Sequence, residues 1–322
     1  MSKERYWRAI SLDSITPEYF PSVALFLKTS GNYVLYKDPD RMLTLADFSR
    51  LERTHTEFLY VRSGDMEVLN EFMENSIAGM LARNDLSSIA KGRMLYQTSV
   101  NCVIDMFESP EATGNLLRCR NLVQNLLQYV ASDSHVLESL KTVVDNNFYI
   151  FAHSVQVAAL SLLIHEKLFE LAPDEMVDVG IGSLLHDYGM TFITNEVLEK
   201  NDALSEIEYW KVKQHTREGY EYLRCCGNYG EIVLNIVRYH HERYDGNGYP
   251  TGLKGDSIPR SGQVAAICDV YSALIMDRPQ RKANTHADAI KIMHDEAKSG
   301  AFDIELFNKF VEIINETSTT QV

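Results

Sequence analysis

Histidine and aspartate dominate the chemistry this chain can do, and their order along it groups them. His240 and His241 are adjacent and lead into Glu242-Arg243-Tyr244-Asp245-Gly246-Asn247-Gly248-Tyr249-Pro250. Upstream stand His153, the pair His186-Asp187 and His215; downstream stands Asp269. A lone histidine on a helix is ordinarily packed or solvated. These five imidazoles and two carboxylates make a nitrogen and oxygen donor set too large for one tetrahedral ion. Two octahedral ions sharing a carboxylate suit it better, because Asp187 offers two oxygens whereas each imidazole offers one nitrogen. Divalent ions about 3.5–4 Å apart lower the pKa of a bridging water and neutralise phosphoryl charge during in-line displacement. The chemistry is therefore hydrolysis by an activated hydroxide, with no Ser, Cys or Thr needed as nucleophile. Lacking thiolate, the set suits Fe, Mn, Zn, Ni or Co and disfavours a structural zinc.

Glycines at 246, 248, 252 and 255 let the chain after His241 turn tightly beside a ligand. The whole ordered pattern, H…HD…H…HH-E-x-x-D-G-x-G-Y-P…D, resembles the HD-GYP family of HD-superfamily metal-dependent phosphohydrolases, bacterial proteins associated with cyclic di-GMP hydrolysis. Thr251 to Arg260 and Asp277 to Arg281 are similar to the family's loop after GYP and its segment after the last ligand. The resemblance covers the C-terminal half.

That resemblance implies an all-helical domain in which His153, His186, Asp187 and Asp269 hold one ion. Asp187, His215, His240 and His241 would hold the other, with His186 and Asp187 catalytic. It favours iron, then manganese. Some members hold a third ion with a glutamate one helical turn before the first histidine; Tyr149 stands there, which favours two. For the substrate it implies Tyr249, Gly248 and Asp245 of the loop, Tyr249 touching the dinucleotide or supporting the ligand-bearing helix and Asp245 ordering the loop. Arg278 and Arg281 would meet phosphate, which a guanidinium grips in a bidentate way.

The implied activity is hydrolysis of cyclic di-GMP to linear pGpG and on to GMP. Two departures stand out. Where the family reads HD-x-G-K, this chain ends in Met190, and a thioether cannot stabilise developing negative charge. Where the family reads DVYDAL, this chain has Ser272 in place of the second aspartate. Met190 raises the alternative of a cyclic-dinucleotide sensor that keeps its ions but turns over slowly; a phosphohydrolase of another nucleotide is a third reading.

The elements that must position these residues are mainly helical. Near the N-terminus, Ser22 to Lys28 and Asn32 to Lys37 flank a Thr-Ser-Gly turn, a hairpin signal. Thr44 with Asp47 predicts a capping box, Glu57 to Arg62 a third strand, and a helix starts from about Asp65. Helical periodicity predicts packing helices at 86–108 and 111–131. Ser205 with Glu208 opens a helix expected to carry His215, and Thr285 with Asp288 opens a later one. The expected organisation is a small α/β N-terminal domain over 1–82, connecting helices over 83–140, the helical metal domain over 141–318 and a frayed tail at 319–322.

Composition sets the remaining bounds. A formal net charge of −14 excludes general DNA or RNA binding, which needs clustered cations, but not a small phosphate ligand held by bound cations. Five irregularly spaced cysteines read as reduced thiols. The polar start lacks the core of a signal peptide, and the apolar run Val155 to Ile164 is far shorter than the ~20 residues a spanning helix needs. The expected location is the cytoplasm. Beyond a cyclic dinucleotide, a signalling protein met through 1–82 is the expected partner.

Overall fold

Four short runs rich in aromatic and aliphatic residues near the N-terminus pair into one antiparallel sheet. The computed structural model describes residues 7–12, 15, 20–132, 149–198, 200, 202–277 and 282–319. Strands β1 (Trp7–Ser11), β2 (Leu25–Thr29), β3 (Asn32–Lys37) and β4 (Phe58–Arg62) lie in the order β1-β4-β2-β3. The hairpin turns through Ser30 and Gly31, with φ of 49° and 78°; left-handed backbone at both positions matches the twist of the flanking strands. Strand β2 begins at Leu25, three residues later than the apolar run at Ser22 suggests, because Val23 turns back onto Pro21.

Strand β1 is absent from the sequence expectation. Its polar, charged surroundings hide it, and its pairing partner, β4, lies about fifty residues on, from Trp7 against Arg62 to Ser11 against Phe58.

Helix α1 (Leu45–Arg53) starts with the expected capping box. The Asp47 carboxylate accepts from Thr44 N at 3.0 Å and from Arg41 at 2.9 Å. Burial pushes that carboxyl up, and the bonds from Thr44 and Arg41 outweigh it, leaving the pKa at about 2. Ile10, Leu25, Leu59 and Val61 from the sheet meet Leu51 of α1 and Leu69 and Met73 of α2 (Met66–Leu81) in one buried cluster.

The chain divides into two compact units, with the boundary inside α3 (Ser88–Glu108). The second unit contains α4 (Thr113–Ser132), α5 (Tyr149–Leu168), α6 (Pro173–Leu185), α7 (Asn195–Leu198), α8 (Glu206–Lys213), α9 (His215–Cys226), α10 (Glu231–Tyr239), α11 (Arg260–Ile275), α12 (His286–Lys298) and α13 (Ile304–Thr319). It has no strand among the described residues. Helix α5 is buried along nearly its whole length, as a helix apolar on all sides must be, and α4, α6 and α11 pack around it.

The capping boxes expected at Ser205 and Thr285 resolve differently. Ser205 and Glu208 form a full box, whereas Thr285 accepts from Asp288 N without the reciprocal backbone bond. The helix opened by Ser205 does not carry His215. It ends at Lys213, Gln214 breaks it, and His215 heads the next helix. No helix among the described residues is long and apolar enough to cross a membrane.

Candidate metal centre

Helix ends put the imidazoles in place. His186 closes α6, His240 closes α10 with His241 next, and His215 follows the break after α8. His153 and Asp269 come instead from within α5 and α11. All seven ligand candidates lie in two groups whose ligand atoms fall within 4.8 Å of one another: Asp187 with His215, His240 and His241, and His153 with His186 and Asp269.

Hydrogen bonds fix which nitrogen of each ring is free. His186 donates from Nδ1 to the Ser183 carbonyl at 2.8 Å, and His215 from Nδ1 to Val212 at 2.7 Å. The His240 Nδ1–H is shared between the Ile236 and Val237 carbonyls at 3.1 Å each. A carbonyl can only accept, so in each neutral ring Nε2 is left as the lone pair.

These lone pairs converge on Asp187. Oδ1 lies 3.3 Å from His215 Nε2 and 3.7 Å from His240 Nε2, while Oδ2 lies 3.3 Å from His186 Nε2. One carboxylate thus faces both groups. Oδ2 is near His186 but off the hydrogen-bond direction, so that buried Nε2 has no hydrogen-bond partner. His215 and His240 bring their Nε2 atoms within 3.3 Å of each other. Acceptors buried against acceptors are unfavourable unless a cation lies among them. The residues therefore fit divalent ions.

The electrostatics show that positive charge is favoured here: in the ion-free chain a proton on His186 Nε2 supplies it, and an ion would displace that proton. Burial pulls the His186 imidazole down, but the Asp187 charge outweighs it and lifts the pKa to about 9. Asp187 is pushed up by burial and held well below the usual carboxylate range by His186, His215 and His240. Burial lowers His241, reinforced by His240. Asp269 is held far down by His153 and His241 against its own burial.

The loop after His241 is tied back to its own start. Glu242, only 2 % exposed, accepts from the amides of Thr251 at 2.8 Å, Gly252 at 3.1 Å and Leu253 at 3.1 Å. Gly248 lies flat on the Glu242 and Arg243 backbone, where a Cβ has no room. Asp245 accepts from the Asn247 backbone at 2.9 Å and side chain at 2.8 Å, which orders the turn. Tyr249 packs its ring 4.7 Å from that of His241. Gly189 lets the turn after Asp187 press against the His215 carbonyl, and Met190 is half-buried on that turn. Tyr149 stacks on His153 at 5.9 Å. Arg278 and Arg281 lie outside the described residues.

Three residues near the centre lie outside the expected ligand and substrate-contact set. Lys213 reaches over the rings of Tyr209 at 4.5 Å and Tyr249 at 5.5 Å; the i, i+4 spacing of Tyr209 and Lys213 and the place just before His215 are the only hints. Ser272 and Gln156 form a buried bond of 2.7 Å beside His153, across 116 residues of chain. His55, His165, His286 and His294 lie outside both groups, and His135 lies outside the described residues.

Comparison with known proteins places this geometry in a family context. The HD domain family model matches residues 139–306. A cyclic di-GMP phosphodiesterase of Pseudomonas aeruginosa is 34% identical over 195 residues, 60% of this chain and 46% of that protein. A 3'3'-cGAMP-specific phosphodiesterase of Vibrio cholerae is 32% identical over 174 residues, 53% of this chain and 40% of that protein. The chain thus spans less than half the length of these curated relatives. Among solved structures, an HDG"Y"P protein of Bdellovibrio bacteriovorus shares the fold, with a TM-score of 0.75 at 18% identity, over 96% of this chain and 99% of that one.

Proposed function

The chain belongs to the HD domain family and carries an HD-GYP domain, and from that membership we propose that it hydrolyses a cyclic dinucleotide, cyclic di-GMP first, to linear pGpG and onward to GMP. The observation that carries this reading is the convergence of three Nε2 lone pairs, each oriented by a backbone carbonyl, on the two oxygens of Asp187.

Divalent ions, iron before manganese, would activate water there and neutralise phosphoryl charge. His153, His186 and Asp269 would hold one ion, His215, His240 and His241 the other, with Asp187 shared. The protein's own work is orientation. Carbonyls hold the imidazole nitrogens in one tautomer, Asp187 joins the two ion sites, and the Glu242 clamp keeps Tyr249 against His241, where a bound dinucleotide would meet its ring. Arg278 and Arg281 are proposed as phosphate contacts, and the first unit as the surface that reads a signalling partner, in the cytoplasm.

The test is product analysis by chromatography after anaerobic loading with iron or manganese and incubation with cyclic di-GMP and 3'3'-cGAMP. Linear pGpG or GMP supports the reading. Turnover of 3'3'-cGAMP alone moves the substrate to that dinucleotide. A second reading, a sensor that binds without turnover, follows from Met190 at the place of the family lysine; tight cyclic di-GMP binding by fully loaded, inactive protein would establish it and refute the enzyme.

A further inference from the structure

His153 differs from the three imidazoles whose tautomer is set by a carbonyl. Its Nδ1 faces Ser272 Oγ at 2.9 Å, and a hydroxyl can accept or donate. What decides the direction is the next group along. Ser272 Oγ lies 2.7 Å from Gln156 Oε1, and a hydroxyl has a single proton. With that proton given to Gln156, Ser272 can only accept from His153 Nδ1–H. The Nε2 lone pair is then left 3.0 Å from Asp269 Oδ1, two acceptors open to a cation. Should the hydroxyl instead turn its proton to Nδ1, the proton of the ring moves to Nε2. His153 then bonds Asp269 directly and ceases to be a ligand.

We propose that Gln156 and Ser272 are positioning residues that make His153 competent to bind an ion, and that one of the two ion sites therefore depends on a side-chain pair while the other does not. The inference rests on the two-ion reading above.

Burial leaves the decision to these groups: Ser272 is 0 % exposed, Gln156 2 %, His153 3 % and Asp269 7 %. Among the described residues the hydroxyl has one further hydrogen-bond contact, Met276 Sδ at 3.6 Å, a weak acceptor and a poor substitute for the amide oxygen. Gln156 sits on α5 three residues after His153, on the same face of the helix. The resemblance places a carboxylate at position 272, and a carboxylate accepts whatever stands behind it. With Ser272 there, the task is divided: a hydroxyl touches the ring and an amide sets the direction of the hydroxyl. His186, the other imidazole of this group, and His215 and His240 of the second group need no such help.

The experiment titrates Mn(II) into metal-free wild type, Ser272→Ala and Gln156→Leu, following free and bound manganese by electron paramagnetic resonance, with circular dichroism to confirm folding. Wild type should take up two ions per chain and show the exchange-coupled signal of a pair. Both variants should keep one ion at wild-type affinity, bind the other about 10–100-fold more weakly, and show an isolated-ion spectrum at limiting manganese. Ser272→Asp should hold two ions, and in that background Gln156→Leu should be silent, because the carboxylate needs no directing partner. Unchanged titrations of the folded single variants would overturn the proposal. So would an equal loss from Gln156→Leu in the Ser272→Asp background, which would make Gln156 a packing residue. A wild type that binds fewer than two ions overturns the two-ion reading and this proposal with it, whereas two ions in wild type with unchanged variants overturns this proposal alone.

Discussion

Replacing Glu242 by Gln isolates the clamp on the Tyr249 loop, because the change swaps one carboxylate oxygen for an NH2 group and touches no proposed ligand. One carboxylate oxygen takes the amides of Thr251 and Gly252 and the other takes Leu253. Hydrogen bonds to a charged group contribute about 1.5–3 kcal/mol and neutral ones about 0.5–1.5 kcal/mol. Glutamine keeps one oxygen for two amides, now uncharged, and turns an NH2 toward the third N–H. One bond of about 2 kcal/mol is lost outright and two weaken by about 1 kcal/mol each, so loop closure should lose about 4 kcal/mol, a rise of roughly 1000-fold in the open fraction. Limited trypsin digestion at the exposed Lys254 reads this directly, since cleavage of a transiently open segment tracks its population when reclosing is fast. The cleavage rate should rise steeply, KM for cyclic di-GMP should rise with it, and bound metal should stay the same. Cleavage and KM within about twofold of wild type would refute the view that these three bonds hold the loop shut.

Other perturbations separate the remaining roles. Asp187→Ala removes the carboxylate facing both groups, so metal analysis after anaerobic loading should show loss of ions and activity together. Met190→Lys restores the cation that the resemblance places there; phosphodiesterase rate should rise with metal content unchanged, and an unchanged rate would show that the missing lysine does not limit turnover. Asp47→Asn tests the first unit. Because Asp47 is held at about 2 against an ordinary 3.8, its contribution is complete above about 3.8 and lost as pH falls through about 2. Urea unfolding of that unit near pH 7 should therefore show a deficit of about 1–2 kcal/mol that closes below pH 2.

The ligand candidates were legible because their chemistry is carried by residue type and order. His, Asp and the His-His pair announce themselves, and the breaks between helices bring them together. Thr44 with Asp47 and Ser205 with Glu208 were legible for a similar reason: a cap is a local bond. Strand β1 was not, since Trp7 to Ser11 become a strand only by pairing with β4, and nothing local marks that. His215 shows the limit of periodicity, which carries one helix through Gln214 where the chain makes two. The bond from Ser272 to Gln156 was invisible because neither residue type is diagnostic and their partnership exists only once α5 and α11 have packed.

The carbonyls that orient His186, His215 and His240 belong to Ser183, Val212, Ile236 and Val237, in the final turns of α6, α8 and α10. Those turns are where a helix leaves its carbonyls unsatisfied and where its dipole places partial negative charge. Three such ends point into one buried volume. Each imidazole stands at or just beyond such an end, His186 and His240 closing α6 and α10 and His215 following α8 as the head of α9, so the rings are oriented as these helices terminate, without waiting for an ion. The converging dipole ends favour positive charge of any element. Selection among divalent cations is thus left to donor type, to the spacing of the two groups and to which metal the cell supplies, and substituting the neighbouring side chains should disturb the array less than moving those three stretches of backbone.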